Sequence, residues 1–195
     1  MLIYVKLLLM ATFWGGTFIA GRIIAAEVGP FSAAFLRFAI SSVLLMITLR
    51  NKEGKLSFPV RSLWGPILIM GMSGIFSYNY LFFKGLKLIP AGRAAVIVAT
   101  NPIFIAIFSA LFFGEKMNSL AALGIFTSVS GATLVITGGQ YSQLIGGGLG
   151  WGELFVFGCV VSWIVFSLIG KSIMKSLSPL QSITFAAVVG TAALT

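Results

Sequence analysis

The stretch from Trp14 to Arg22 reads WGGTFIAGR, and the stretch from Trp163 to Lys171 reads WIVFSLIGK. A tryptophan, a glycine and a basic residue recur in one register, 149 positions apart. Pro30 and Pro179 continue that register. The pattern predicts that a first structural unit starts over near residue 150.

The composition is that of a chain embedded in lipid. Of its 195 residues, 58% are hydrophobic and 9% are charged, and the mean hydropathy is +1.07. A soluble domain carries about 25% charged residues, so too little polar surface exists here to cover a water-soluble globule. Uncharged runs such as the one between Lys116 and Glu153 reach the roughly 20 residues that a membrane-spanning helix needs. These features predict an all-α membrane protein.

The ionisable residues argue against several other classes. The net charge is +9, but the basic residues are scattered between apolar spans rather than gathered on one face, so nucleic acid is not an expected partner. The chain has no histidine, and its one cysteine, Cys159, lies in an apolar run. We therefore expect no disulfide framework, metal site or cofactor. A membrane-embedded transferase is disfavoured because the four acids are widely separated, so a non-enzyme is expected.

Seven apolar spans follow one another with short connections. The longest connections are 50–62, rich in lysine and arginine, and 138–148, rich in glycine and uncharged. A lysine before the first run resembles a signal peptide, but the run is too long for one, so an uncleaved first span is expected. The predicted spans are 3–26, 31–49, 63–83, 91–113, 119–137, 149–170 and 178–195.

The distribution of basic residues predicts a cytoplasmic N-terminus. Cytoplasmic ends of membrane helices carry an excess of lysine and arginine. With the N-terminus inside, more bases lie at cytoplasmic ends than at outer ends. The inside set is Lys6, Arg50, Lys52, Lys55, Arg61, Lys116, Lys171 and Lys175.

The repeat and the span count together predict the architecture. If the first unit holds five spans, an odd number, the second copy enters the membrane from the opposite side, which is the inverted repeat of many secondary transporters. We therefore expect a multi-span helical bundle built from an inverted five-helix repeat, with the second repeat incomplete. Its parts are a first repeat over 1–138, a glycine-rich loop over 139–148 and the start of a second repeat over 149–195. On this interpretation the chain is a truncated product, about two-thirds of a ten-span protein.

Several stretches resemble EamA-type proteins of the drug/metabolite transporter superfamily. The most specific is PAGRAAVIVATNPIFIAIFSALFFGEK, from Pro90 to Lys116, which is similar to the fourth span of that family. The resemblance runs along nearly the whole chain. Further similar stretches are FWGGTFIAGR from Phe13, AFLRF from Ala34, YNYLFFKGLKLIPAG from Tyr78 and GELFVFGCVVSW from Gly152.

The resemblance implies a function as well as a fold. Such proteins are ten-span carriers of inner or plasma membranes, and many export amino acids or other metabolites. The chain is thus expected to be a secondary transporter of small metabolites in a bacterial inner membrane, working by alternating access. Its partners would be the lipid bilayer, a small-molecule substrate and a proton or counter-substrate, and a homodimer is compatible with the pattern. The alternative is a non-transporting membrane subunit or scaffold that needs a partner, which the absence of an eighth to tenth span motivates.

Arg37 is the first candidate for substrate binding. It lies in an otherwise apolar span, where a charge costs at least about 2.5–3.5 kcal/mol on insertion scales and normally faces a cavity or a partner. A guanidinium in that position suits an anionic substrate group, and a carboxylate would bind in a bidentate manner. The alternative is a structural arginine that reaches outward or binds carbonyl groups.

The fourth span carries a second candidate at Thr100, Asn101 and Pro102. Proline removes one backbone donor and leaves the Val98 carbonyl without its usual partner. This carbonyl and the Asn101 amide could line a substrate path. The alternative is a packing kink of the kind common in membrane helices.

Aromatic and amide side chains supply the remaining binding candidates. Trp14 and Trp163 occupy matched repeat positions well inside their spans, where they suit cavity walls or core packing. Tyr78 and Asn79 add polar groups to the third span, and Asn79 needs a hydrogen-bond partner in hydrocarbon, either a neighbouring helix or a substrate.

Glu115 and Glu153 are the candidates for coupling or gating. Glu115 follows a glycine at the cytoplasmic end of the fourth span, where an ion pair with nearby bases is the main alternative to proton coupling. Glu153 lies at the start of the sixth span, where a negative charge suits the helix N-terminus. It is the more plausible proton-coupling acid of the two.

Overall fold

The computed structural model describes residues 2–54, 58–114, 118–137 and 150–195. This part of the chain forms seven helices joined by short connections, with no strand among the described residues. The helices are α1 (Leu2–Glu27), α2 (Pro30–Glu53), α3 (Arg61–Leu88), α4 (Ala91–Phe113), α5 (Ser119–Thr137), α6 (Trp151–Ile173) and α7 (Pro179–Ala192).

Five helices are long and apolar enough to cross a membrane: α1, α2, α3, α4 and α6, counted over the described residues. The α5 helix covers 19 residues and α7 covers 14. The predicted all-α membrane fold is confirmed, and the chain is an integral membrane protein in contact with lipid.

The helix ends follow from local chemistry. Pro30 begins α2, where its missing N–H costs nothing. Gly54 ends the same helix with φ of 71° and donates its N–H to the Arg50 carbonyl, a conformation that glycine adopts without a side-chain clash. Ser178 caps α7: its hydroxyl accepts the Gln181 N–H at 3.1 Å, and the Gln181 side chain accepts the Ser178 N–H.

The α3 helix is the centre of the bundle and is longer than predicted. It continues beyond the predicted end at 83 to Leu88. Lys84 therefore lies within the helix, and its ammonium is over the Tyr80 and Phe155 rings at 5.0 and 4.9 Å. Residues Gly71–Ser77 form a π-helical segment within it. Segments of this kind are often found at functional sites.

The π-helical segment lies where α3 and α7 approach most closely. A Cβ atom added at Gly71 would lie 2.8 Å from the Ala186 carbonyl oxygen, and one added at Gly190 would lie 2.6 Å from the Gly71 oxygen and still closer to the Ile75 side chain. The two backbones are therefore in direct contact, as small residues permit in membrane helices.

Polar side-chain contacts join neighbouring helices at both ends of the bundle. At one end, Arg22 donates to the Leu86 carbonyl at 2.6 Å and also to the Ile89 carbonyl, which satisfies acceptors at the end of α3. At the other end, the Glu53 carboxylate accepts from the Ser178 hydroxyl and the Gln181 amide, both at 2.6 Å. The second contact joins the end of α2 to the start of α7.

Candidate binding cavity

A cavity of about 150 Å³ lies among α1, α2, α3 and α6, and Val98 of α4 and Ile183 of α7 also line it. It brings together residues that are far apart in sequence. Five of the eight predicted binding residues line it: Trp14, Arg37, Tyr78, Asn79 and Trp163.

Aromatic rings form the walls of this cavity. The Trp14 and Trp163 rings meet edge to face, with centroids 5.6 Å apart. Tyr78 lies 5.4 Å from Trp163 and stacks on Phe82 at 6.0 Å. Phe166 stacks on Trp163 at 5.0 Å. Each ring is thus held by a neighbour, which gives the walls a defined shape.

Arg37 supplies the charge of the cavity. Its Nη1 donates to the Asn79 Oδ1 at 3.3 Å, and its guanidinium lies 5.5 Å from the Phe38 ring centroid. Asn79 is 1% exposed, and its Nδ2 donates to the Ile75 carbonyl at 2.8 Å. The Ile75 contact fixes the amide so that its oxygen faces Arg37. The guanidinium therefore has an uncharged partner.

Two contacts in this region join residues whose sequence separation equals that of the repeat. Trp14 contacts Trp163. The Ser42 and Thr191 hydroxyl oxygens are 3.0 Å apart, a separation of 149 positions. In both pairs, one residue belongs to the first two helices and the other to α6 or α7.

The Thr100, Asn101 and Pro102 candidates lie elsewhere. The α4 helix is interrupted at Thr100, whose hydroxyl donates to the Ile97 carbonyl at 2.6 Å. None of the three residues lines the cavity, although Val98 does. Asn101 is 6% exposed, and its Oδ1 has no hydrogen-bond partner among the described residues. A substrate path at this break stays a prediction.

Glu153 is committed to an ion pair. Its Oε1 lies 2.8 Å from the Arg93 Nε, and its Oε2 accepts the Gly150 N–H at 3.0 Å. The pair joins the start of α4 to the start of α6. Glu153 is 7% exposed, so both contacts offset the cost of burying its charge. Glu115, the other coupling candidate, lies outside the described residues.

A larger cavity, of about 580 Å³, lies beside this ion pair. Its volume exceeds that of the cavity at Arg37, but Glu153, the one charged side chain among its described lining residues, is already paired. The remaining lining side chains are apolar and largely exposed, including Trp151 and Leu154. The smaller cavity is the stronger candidate because its charged and polar groups converge on one volume.

These features define a helical membrane protein with a cavity between its spans, lined by aromatic and polar side chains. The described residues contain no group of three or more side chains suited to hold a metal ion. The cavity itself offers a guanidinium, an amide, a phenol and aromatic faces, which are groups that bind and orient a ligand.

The chain belongs to the EamA-like transporter family, whose model matches residues 1–137. It is 31% identical over 192 residues to the uncharacterised transporter YyaM of Bacillus subtilis (strain 168), covering 98% of this chain and 63% of that protein. It is also 31% identical over 160 residues to the uncharacterised inner membrane transporter YedA of Escherichia coli (strain K12), covering 82% of this chain and 50% of that one. The chain spans between half and two thirds of the length of these relatives.

A solved crystal structure shares the fold. The TM-score is 0.66 at 24% identity, over 92% of this chain and 61% of that chain. The helical fold expected from the sequence is therefore confirmed, and the family match over residues 1–137 confirms the EamA resemblance.

The sequence did not identify every wall of the cavity. Phe18, Phe38, Phe82 and Phe166 line it, but the chain has 18 phenylalanines and nothing in their spacing marks these four. Gly74 could have been found from the sequence, because a glycine inside an apolar span often marks a close approach between helices. A Cβ atom there would meet the Phe166 ring.

Proposed function

We propose that this chain is a secondary carrier for small metabolites that works by alternating access between two inverted units. The observation that carries the proposal is the pair of contacts between residues 149 positions apart, Trp14 with Trp163 and Ser42 with Thr191. Residues related by a two-fold axis touch each other only where they lie beside that axis.

Two such contacts define a line through the bundle. One lies between α1 and α6, and the other between α2 and α7. Under the proposed threading, each pair of helices runs in opposite directions, as an inverted repeat requires. The axis thus passes beside the cavity at Arg37, and binding near the midplane at the repeat interface is the usual arrangement in such carriers.

The polar contacts at the two ends suit alternating access. The Arg93–Glu153 pair joins α4 to α6, and Glu53 joins α2 to α7, so each contact links the first unit to the second. With the N-terminus in the cytoplasm of a bacterial cell and the protein in its inner membrane, the first contact lies at the outer end and the second at the inner end. Opening of either end requires the contact there to separate, which makes Glu153 a gating residue.

Transport by the chain in proteoliposomes tests this function. Vesicles containing the protein are loaded with a mixture of amino acids, carboxylates, sugars and nucleosides, and exchange of each labelled compound is measured. We expect at least one compound to move above the level of empty vesicles. Failure of the whole panel to move would contradict the carrier assignment.

Substitution at the axis should reduce that movement. Trp163→Ala removes the ring that contacts both Trp14 and Tyr78, and we expect transport to fall about 10-fold or more, since a wall of the binding site is lost. Trp151→Ala is the matched control, because Trp151 is 71% exposed and lies outside the cavity at Arg37. Equal transport by the two variants would show that the residues at the axis are not part of the transport path.

A further inference from the structure

We propose that the cavity at Arg37 selects a small monoanion with a flat apolar body, of which an aromatic monocarboxylate is the simplest example. The inference rests on the proposed function and names its substrate class. It follows from the charge of the cavity, the orientation of one amide and the nature of the walls.

The charge of the cavity is not balanced from within. Arg37 is the one charged residue among the described residues that line it. Its partner, Asn79, is an amide, and no carboxylate in the described part of the chain lies within ion-pair distance of it. An anion would supply the missing charge, and a cation would be repelled by the same guanidinium.

The Asn79 amide leaves most of the guanidinium available. Its Nδ2 is bound to the Ile75 carbonyl, so only its oxygen faces Arg37, and that oxygen accepts from one guanidinium nitrogen, Nη1. A guanidinium has five N–H donors in a planar fork. The donors not directed at Asn79 match the two oxygens of a carboxylate, which binds in a bidentate manner. Asn79 is therefore a positioning residue for Arg37.

The walls determine the rest of the ligand. Trp14, Tyr78, Phe82 and Trp163 present ring faces and edges, which favour a flat apolar body. The volume of about 150 Å³ is small beside the roughly 300–1,000 Å³ of drug-sized pockets, so the body must be small. Among the lining residues that the structure describes, none is acidic and able to receive the ammonium group of a zwitterion.

Three probes of one shape and different charge test the proposal. Benzoate, benzamide and benzamidine are similar planar molecules with charges of −1, 0 and +1. Binding of labelled benzoate to the 195-residue chain in nanodiscs is measured, and the other two compounds and phenylalanine compete with it. We expect saturable benzoate binding, at least about 10-fold weaker competition by benzamide and phenylalanine, and none by benzamidine.

Matched variants separate binding at Arg37 from partition into lipid. Arg37→Gln should weaken benzoate binding about 10- to 100-fold, because a hydrogen bond to a charged group is lost. Arg50→Gln removes a charge from the same helix at an exposed position and should leave binding unchanged. Equal effects of the two substitutions would overturn the proposal.

Asn79→Asp provides a test that keeps the shape of the site. The new carboxylate would neutralise Arg37 in place, so benzoate binding should be lost while the thermal unfolding of the protein is kept. Undiminished benzoate binding by a folded Asn79→Asp protein would overturn the proposal, as would stronger binding of benzamide or benzamidine than of benzoate by the unaltered chain. If vesicles move other compounds while benzoate does not bind, the substrate class is wrong and the carrier assignment stands. Failure of every compound to move is the separate result that contradicts the carrier.

Discussion

Replacing Gly190 with alanine should separate α7 from α3. We expect this substitution to lower the yield of folded protein more than the addition of a single methyl group at any other position of the bundle. The new Cβ atom would lie 2.6 Å from the Gly71 carbonyl oxygen and closer still to the Ile75 side chain. Because a backbone atom and a Cβ atom cannot move aside as the end of a flexible chain can, we expect a loss of about 3 kcal/mol, at the upper end of the usual cost of overpacking. Thermal unfolding in detergent measures the effect.

Gly15→Ala is the matched control for this substitution. Gly15 also lies within a helix, but a Cβ atom there would meet nothing within 4 Å. Alanine should be neutral at this position or stabilise the helix by up to about 1 kcal/mol, since glycine is the poorer helix former. A Gly190→Ala protein as stable as the Gly15→Ala protein would show that α3 and α7 are not packed backbone to backbone.

Replacing Arg93 with methionine should destabilise the start of α6. Glu153 would remain buried, with the Gly150 N–H as the partner left to it, after losing a guanidinium at 2.8 Å. Removal of one member of a buried ion pair costs about 3 kcal/mol, because an uncompensated charge stays behind. Thermal unfolding should report this loss.

A second substitution should restore most of that stability. In the Arg93→Met/Glu153→Gln double variant, the buried charge is gone and the glutamine oxygen can still accept the Gly150 N–H. The single variant should therefore be less stable than the double variant, even though it retains more of the native residues. The opposite order would mean that the ion pair contributes through something other than the balance of charge.

The membrane fold could be predicted from the sequence because apolar length decides it. Apolar runs marked all seven helices, and Pro30 and Pro179, which share the repeat register, are the first residues of α2 and α7. The predicted end of α3 was wrong. Lys84 was expected to lie outside the helix, but its position over two aromatic rings depends on Phe155, which is remote in sequence.

The composition of the cavity could be predicted in part. A lone charge at Arg37 and an amide at Asn79 each need a partner in hydrocarbon, so their contact across two helices follows from the cost of leaving them apart. The break at Thr100 was also visible in sequence from Pro102. Which way such a break faces depends on packing between helices, and the sequence alone does not contain that information.

Among the sequence features, the matched register of the two tryptophans predicted the most about the structure. Sequence placed Trp14 and Trp163 at equivalent positions, and the structure places their rings in contact. Ser42 and Thr191 were not singled out, because a serine and a threonine in apolar spans are common. The hydrogen bond between them is informative only because the two residues have the same separation as the tryptophans.

Thiol labelling from the two sides of the membrane tests the inverted arrangement most directly. Single cysteines replace Arg50, Trp151 or Lys175, all exposed, in a Cys159→Ser background, and an impermeant thiol reagent is applied to intact cells and to inverted vesicles. We predict that position 151 reacts from the outer side and that positions 50 and 175 react only from the cytoplasmic side. Labelling of positions 50 and 151 from the same side would contradict the oppositely oriented second unit, and with it the account of alternating access.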